Sequence, residues 1–294
     1  MVTAGRFRAL TAESFDVLPP LWEFTVTSAS PLALLLRKLE THAALGEADR
    51  QAILSLPFTR NTLQPHAYIM REGDDPHHCA ILLSGFAFRH KCTGDGARQI
   101  VALNIPGDAL DFHNLYLDVS DHNVQTLTQA EVAVILRADV QNLALLRPSI
   151  GRAIMASILV EASIFREWML NIGRRSARQR LAHLLCEWSL RLDAQGLTGE
   201  YGYELPMTQE QLADTLGLTP VHVNRTIRAL EADGLLVRDR RWIGLPDWER
   251  LRELGDFNER YLHLGPQLSG SLLAARYSPV VAARDNVIEF PTST

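Results

Sequence analysis

The sequence predicts an α+β chain: an N-terminal antiparallel β-roll, one long helix, and a helical C-terminal domain closed by a β-hairpin. Three observations carry this. Between Tyr68 and Leu136, short apolar runs alternate with Gly-containing turns at close spacing, the mark of an antiparallel roll or barrel. After Pro148 no proline occurs as far as Ile172, and apolar residues recur there at steps of three and four. Between Thr208 and Glu231, two capped helical patterns are separated by a glycine.

Residues 1–31 mix Pro, Ser and Thr without periodicity and are expected to form a poorly ordered extension, as is the tail at 265–294. A helical pattern of Leu and Ala runs from Leu32 to Leu56 and opens a roll domain at 32–147. Its strands follow from turn residues: Tyr68 to Arg71 stops at Glu72-Gly73-Asp74, and Ala80 to Leu83 stops at Ser84-Gly85. Phe86 to Lys91 ends at Thr93-Gly94-Asp95-Gly96, Gln99 to Ile105 ends at Pro106-Gly107-Asp108, and Ala130 to Leu136 closes the set. After the roll, helices are expected to take over from Pro148. In the segment 148–175, Met155, Ile158, Ala162, Phe165, Met169 and Ile172 form an apolar seam of coiled-coil spacing, with Gly173 as its stop. A helix buried within one subunit would also explain such a line. A second copy of the same helix is the simplest cover for a straight seam, so a homodimer is expected. Ile150, Ile154, Ile164 and Trp168 make a second line that can pack on the roll. Ser176 is placed to cap the next helix, Ala177 to Arg191, which opens a domain at 176–264.

A chain of 294 residues is long enough for two domains with separate cores, and 47% apolar with 21% charged residues is ordinary for a folded protein. The three cysteines, Cys79, Cys92 and Cys186, are too scattered for a disulfide framework or a metal pair and read as reduced thiols. No uninterrupted apolar run suits a bilayer, and the first residues lack a secretory apolar centre, so a cytoplasmic location without a membrane partner is expected. The formal charge of −5 opposes nucleic-acid binding only if the basic residues are dispersed. They are clustered: Arg174, Arg175, Arg178 and Arg180, then Arg225 and Arg228, then Arg238, Arg240 and Arg241.

The most informative segment runs from Thr208 to Glu231. Thr208 with Gln211 makes a capping box, Ala213 is small where two helices would cross, and Gly217 permits a sharp turn. Thr219 caps a second helix with Pro220 in its first turn. On that helix Val223, Ile227 and Leu230 share one apolar face, and Val221, Asn224, Arg225 and Arg228 share the opposite one. This is a helix-turn-helix whose second helix would enter a major groove. There Arg pairs with guanine, Asn with adenine, and Val221 can touch a thymine methyl, which implies double-stranded DNA as partner. A solvated helix face is the plain alternative for Asn224 and Arg225. Thr219, His222 and Gln209 sit where phosphate contacts are usual. Leu235 to Val237 and Trp242 to Leu245 flank Asp239-Arg240-Arg241, a wing with a basic tip at Arg240 and Arg241, so the domain is expected to be a winged helix-turn-helix.

Roll, long helix and winged helix-turn-helix in that order resemble the Crp/Fnr family of bacterial transcription regulators, over roughly residues 32–264. The helix-turn-helix is the most specific part, followed by the Arg71-Glu72-Gly73-Asp74 turn and Leu82-Leu83-Ser84-Gly85. The resemblance implies a cyclic-nucleotide-binding-like roll, a homodimer on a palindromic operator, and contact with RNA polymerase. Several residues depart from it. Where cyclic-AMP-binding members carry Gly-Glu and an arginine pair, Gly107 to Val124 holds no Lys or Arg, and His122-Asn123 falls at the arginine pair. Phe165 and Arg166 align with the base-contacting pair, so Arg166 is the one cation near the pocket and is expected to stand too far from the phosphate to replace the clamp. Val221 replaces a glutamate common in the recognition helix. Cyclic AMP is therefore not expected as effector. Three cysteines cannot supply the four ligands of an iron-sulfur cluster. Haem stays open, because His42, His66, His77, His78, His90, His113 and His122 lie in or just before the roll, although histidines in turns are usually surface residues. No cofactor is otherwise expected, and no metal site. Catalysis is not expected, since His77 and His78 would point to opposite faces of a strand and no H-x-H with a distant carboxylate stands out. The competing class is a ligand- or haem-sensing protein that acts through its roll.

Overall fold

The computed structural model describes residues 30–199 and 202–264; the segments at 1–29 and 265–294, expected above to be poorly ordered, lie outside them. The Leu32–Leu56 pattern is two helices, α1 (Ala33–His42) and α2 (Glu47–Leu54), which bury Leu35, Leu39 and Ile53. The roll follows as β1 (Thr59–Leu63), β2 (Tyr68–Met70), β3 (His78–Ser84), β4 (Ala87–Cys92), β5 (Arg98–Asn104), β6 (Asn123–Thr126) and β7 (Ala130–Leu136). They pair antiparallel in two sheets, ordered β1-β7-β3 and β2-β6-β4-β5. Ile81 stands opposite Ala133, and Phe88 opposite Leu103. Gly85 turns β3 into β4 at φ 75°, where a Cβ would lie 2.2 Å from the Gln129 carbonyl oxygen, so no other residue fits this corner without rearrangement.

Helix begins earlier than expected. α3 (Arg137–Leu146) leaves β7 directly, and α4 (Pro148–Arg174) follows with Pro148 in its first turn. Gly173 lies inside α4 and does not stop it; the chain turns extended only at Arg175. One face of α4 closes the roll: Ile150, Ala153 and Ile154 join Leu35, Leu39, Ile81 and Ile135 in one cluster, and Ile158 packs against it. Ile158 is thus not on the outward seam. Ile172 also turns inward, with its Cγ2 3.6 Å from where a Gly217 Cβ would stand. The outward face carries Met155, Leu159, Ala162, Phe165, Met169 and Leu170. Met155, Ala162, Phe165 and Met169 of the expected seam thus stay outward, while Leu159 and Leu170 stand there in place of Ile158 and Ile172. Contrary to expectation, one described helix, α4, is long and apolar enough to cross a bilayer by length and composition alone. Its inward face is committed to the roll and to the C-terminal domain.

The C-terminal part comprises α5 (Ala177–Ala194), β8 (Tyr203–Glu204), α6 (Gln209–Leu216), α7 (Pro220–Ala232), β9 (Val237–Asp239), β10 (Trp242–Gly244), α8 (Trp248–Leu254) and a 3-10 turn at Glu259–Leu262. Ser176 caps α5 in a complete capping box with Gln179, and every residue of α5 from Leu181 to Leu192 is buried. The expected pair of separate cores is not what forms. Phe88, Ile100, Leu103 and Ile105 of the roll share one cluster with Leu184 and Trp188 of α5, Leu212 of α6 and Leu230 of α7.

Polar contacts tie the same boundary. Arg98 Nε donates to Asp214 Oδ2 at 2.7 Å, and Gln99 Nε2 donates to the Asp214 carbonyl at 2.6 Å, joining the start of β5 to α6. Arg191 donates to the Leu103 carbonyl at 2.7 Å and to Asp108 at 3.1 Å, and Lys38 pairs with Asp108 at 2.9 Å. Burial alone would raise the Asp108 pKa, but Lys38 and Arg191 outweigh it and hold the carboxyl below its usual range. Trp168 of α4 and Tyr261 both donate to the buried Glu187 carboxylate, at 2.9 and 2.8 Å.

Candidate nucleic-acid interface

Local sequence dictates the geometry of α6 and α7. The Thr208 hydroxyl accepts from Gln211 N and the Gln211 side chain accepts from Thr208 N, so the start of α6 is satisfied reciprocally. Gly217 ends α6 in the left-handed region, at φ 61° and ψ 45°. Thr219 then accepts from His222 N at 3.3 Å and starts α7, with Pro220 where no amide hydrogen is needed. Val223, Ile227 and Leu230 are buried against α5 and α6, which fixes the rotation of α7 about its axis.

The opposite face of α7 follows from that rotation. Val221 is 81% exposed, Arg225 and Arg228 are exposed, and Asn224 is half-buried beside them. Arg225 and Arg228 have no ion pair or hydrogen bond within the described residues. An apolar residue left in solvent between unpaired cations is an arrangement that folding does not need and a polyanion with base methyl groups can use. Thr219 is exposed, while His222 and Gln209 are half-buried at the starts of α7 and α6.

The wing is a three-stranded sheet ordered β8-β10-β9, one strand more than the sequence suggested. Its first expected strand is displaced: Leu235 and Leu236 are core residues, and β9 starts at Val237. Arg240, at φ 52°, and Arg241 form the exposed two-residue tip. The other arginine clusters are largely structural, against expectation. Arg175 is buried and pairs with Glu167 at 2.7 Å, Arg178 pairs with Asp233, and Arg180 donates to the Leu216 carbonyl at 2.8 Å. Arg238 lies 3.5 Å from Glu231. On this face the arginines without an ion pair among the described residues are Arg225 and Arg228, and Arg240 and Arg241 stand exposed at the wing tip.

The roll interior corrects another expectation. The cation that reaches it is Arg89 from β4, not Arg166, which is exposed on α4. Arg89 Nη1 and Nη2 donate to the two oxygens of Glu161 on α4 at 2.9 and 3.1 Å, while Nε and Nη2 donate to the carbonyls of Leu110 and Ala109. Nearby, Asp111 accepts from Ala80 N, and burial pushes its pKa up to about 7 despite that bond and Arg89. Burial likewise raises the Cys79 thiol, which removes it as a ready thiolate. The sequence signal for Arg89 was present, since a strand buried on both faces must carry one of its charged residues inward. The partner came from a helix 72 residues further on.

Fold and site together define a reader of duplex DNA coupled to a sensor-like roll. Residues 60–145 match the model of the cyclic nucleotide-binding domain, and residues 179–254 match the Crp-like helix-turn-helix domain. The transcriptional activator protein FnrL of Cereibacter sphaeroides is 31% identical over 193 residues, 64% of this chain and 77% of that protein. The nitrogen fixation regulation protein FixK of Rhizobium meliloti is 29% identical over 206 residues, 69% of this chain and 90% of that one. Among solved structures, FixK2 from Bradyrhizobium japonicum superposes with a TM-score of 0.62 at 26% identity, covering 68% of this chain and 98% of that one. The chain belongs to the Crp/Fnr family: it is a DNA-binding transcription regulator and not an enzyme.

Proposed function

We propose that the chain acts in the cytoplasm as a homodimer on a palindromic operator, reads each half-site with α7, contacts RNA polymerase from there, and does so without cyclic AMP. The observation that carries this reading is the outward face of α7, where Val221, 81% exposed, is followed on the same face by Asn224, Arg225 and Arg228. A helix of 13 residues is about 20 Å long, enough to lie along a major groove. The exposed apolar face of α4 supplies a surface that a second copy would cover, and a two-fold axis there would set two recognition helices about 34–36 Å apart on the DNA.

The case against cyclic AMP rests on Arg89. A cyclic phosphate needs a guanidinium clamp, and this guanidinium is engaged bidentately by Glu161. Contact with RNA polymerase rests on family membership. Selection of duplexes from a random pool by the purified protein tests the reading. Two inverted half-sites should emerge, and calorimetry with cyclic AMP should give no saturable heat. Enrichment of a single asymmetric site would refute the dimeric reading, and saturable heat the nucleotide one.

A further inference from the structure

The chain between the 3-10 turn Phe112–Leu115 and β6 brings His113, Asp121 and His122 together on the roll. One potential ligand atom from each lies within 4.8 Å of the other two. The two imidazole rings stand 4.8 Å apart, centre to centre, at 48°. In each ring Nε2 is buried and has no hydrogen-bond partner among the described residues. A buried polar atom without a partner is costly, so two in neighbouring rings are unfavourable as packing alone.

The other nitrogen of His122 is already fixed. Asp121 Oδ1 lies 2.7 Å from His122 Nδ1. The carboxylate accepts Nδ1–H, which leaves the Nε2 lone pair facing away from it. A carboxylate holding an imidazole in this way is the arrangement that orients histidine ligands toward a metal. The Asp121 side chain is 75% exposed, so this edge of the cluster meets solvent.

We propose that His113 and His122 bind a divalent first-row transition-metal ion through Nε2, with Asp121 orienting His122 and solvent completing the coordination. Imidazole donors select this class over magnesium and calcium, which take oxygen ligands. An anion is a poor occupant, because Asp121 is acidic and the nearby Arg89 guanidinium is held by Glu161.

Titration of the metal-free, full-length protein with Co²⁺, followed by visible d–d absorption, tests the site. A single saturable spectrum per chain is expected. Asp121→Asn should weaken it roughly 10–100-fold, the usual range for an orienting partner, and His113→Gln or His122→Gln should weaken it by at least as much. Replacing the exposed His77 and His78 by Gln should leave it unchanged. Far-UV circular dichroism checks that each variant is folded. Independently of any variant, X-ray absorption at the zinc edge of Zn²⁺-loaded wild-type protein should show scattering from two imidazoles. Absence of a saturable Co²⁺ spectrum, its persistence in both folded histidine variants, its loss with His77 and His78, or a zinc shell lacking two imidazoles would each overturn the assignment.

Discussion

Leu159→Asp and Ile158→Asp, one position apart on α4, should have opposite consequences. Leu159 is 60% exposed in the protomer, whereas Ile158 packs against the cluster that holds α4 to the roll. Full burial of a leucine side chain stabilises by about 1.5–3 kcal/mol, so covering the exposed part of Leu159 in a dimer contributes roughly 1–2 kcal/mol. Two-fold symmetry doubles this to about 2–4 kcal/mol. At 1.4 kcal/mol per decade, Leu159→Asp weakens dimerisation about 30- to 700-fold through lost packing alone. Two carboxylates facing each other near the axis weaken it further. Protomer stability should barely change. Ile158→Asp should instead bury a carboxylate in the roll core and lower protomer stability by several kcal/mol. Sedimentation velocity reads the first effect and urea unfolding the second. The reasoning fails if Leu159→Asp sediments as a dimer with wild-type affinity, or if Ile158→Asp gives monomers of undiminished stability.

Arg225→Ala should cost about 1–3 kcal/mol of operator binding and relax preference at one base pair per half-site, measured by gel shift against single-base variants of the selected operator. Glu161→Gln removes the ion-pair partner of the buried Arg89 and leaves it with carbonyl acceptors and the more distant Asp108 and Asp111. Because Glu161 is itself partly exposed, a loss of about 2 kcal/mol is expected in urea unfolding, and a change below about 0.5 kcal/mol would contradict the pairing. His42 is held neutral, its pKa brought down to about 4 by burial and then by Lys38. The folded state therefore binds fewer protons than the unfolded chain between about pH 6.5 and 4, and stability should fall as pH drops through that window. His42→Gln should flatten this part of the melting-temperature profile, and an unchanged slope would exclude His42 as its source.

What the sequence disclosed depended on whether the signal was local. The helix-turn-helix was legible because its caps at Thr208, Gln211 and Thr219 and its left-handed Gly217 are dictated by neighbours in the chain. β1 was missed because Thr59–Leu63 is almost wholly exposed and polar, an edge strand with no apolar alternation. α3 was missed because it leaves β7 without a breaking residue. Ile158 and Ile172 were misplaced on the α4 seam because the helix carries apolar residues around most of its circumference, and only the packing of its neighbours decides which of them turn inward. Histidines read as surface residues proved more enclosed: His90 and His122 are buried, and His42 and His113 partly so. The pairing of Arg89 with Glu161 joins residues far apart in the chain, and no periodicity reports such a meeting.

The bonds from Arg98 and Gln99 to Asp214 place the fulcrum of the reading head on the sensor itself. α7 rides on α6, so a strand shift at β5 acts on α7 as on a lever. A tilt of about 10° at that fulcrum, carried over a helix about 20 Å long, displaces the far end by roughly 3.5 Å, close to the 3.4 Å rise of one base pair. A roll that tilted α6 by that much would therefore change which base edges the arginines of α7 meet, and the same two side chains that steady the domain would set the gearing.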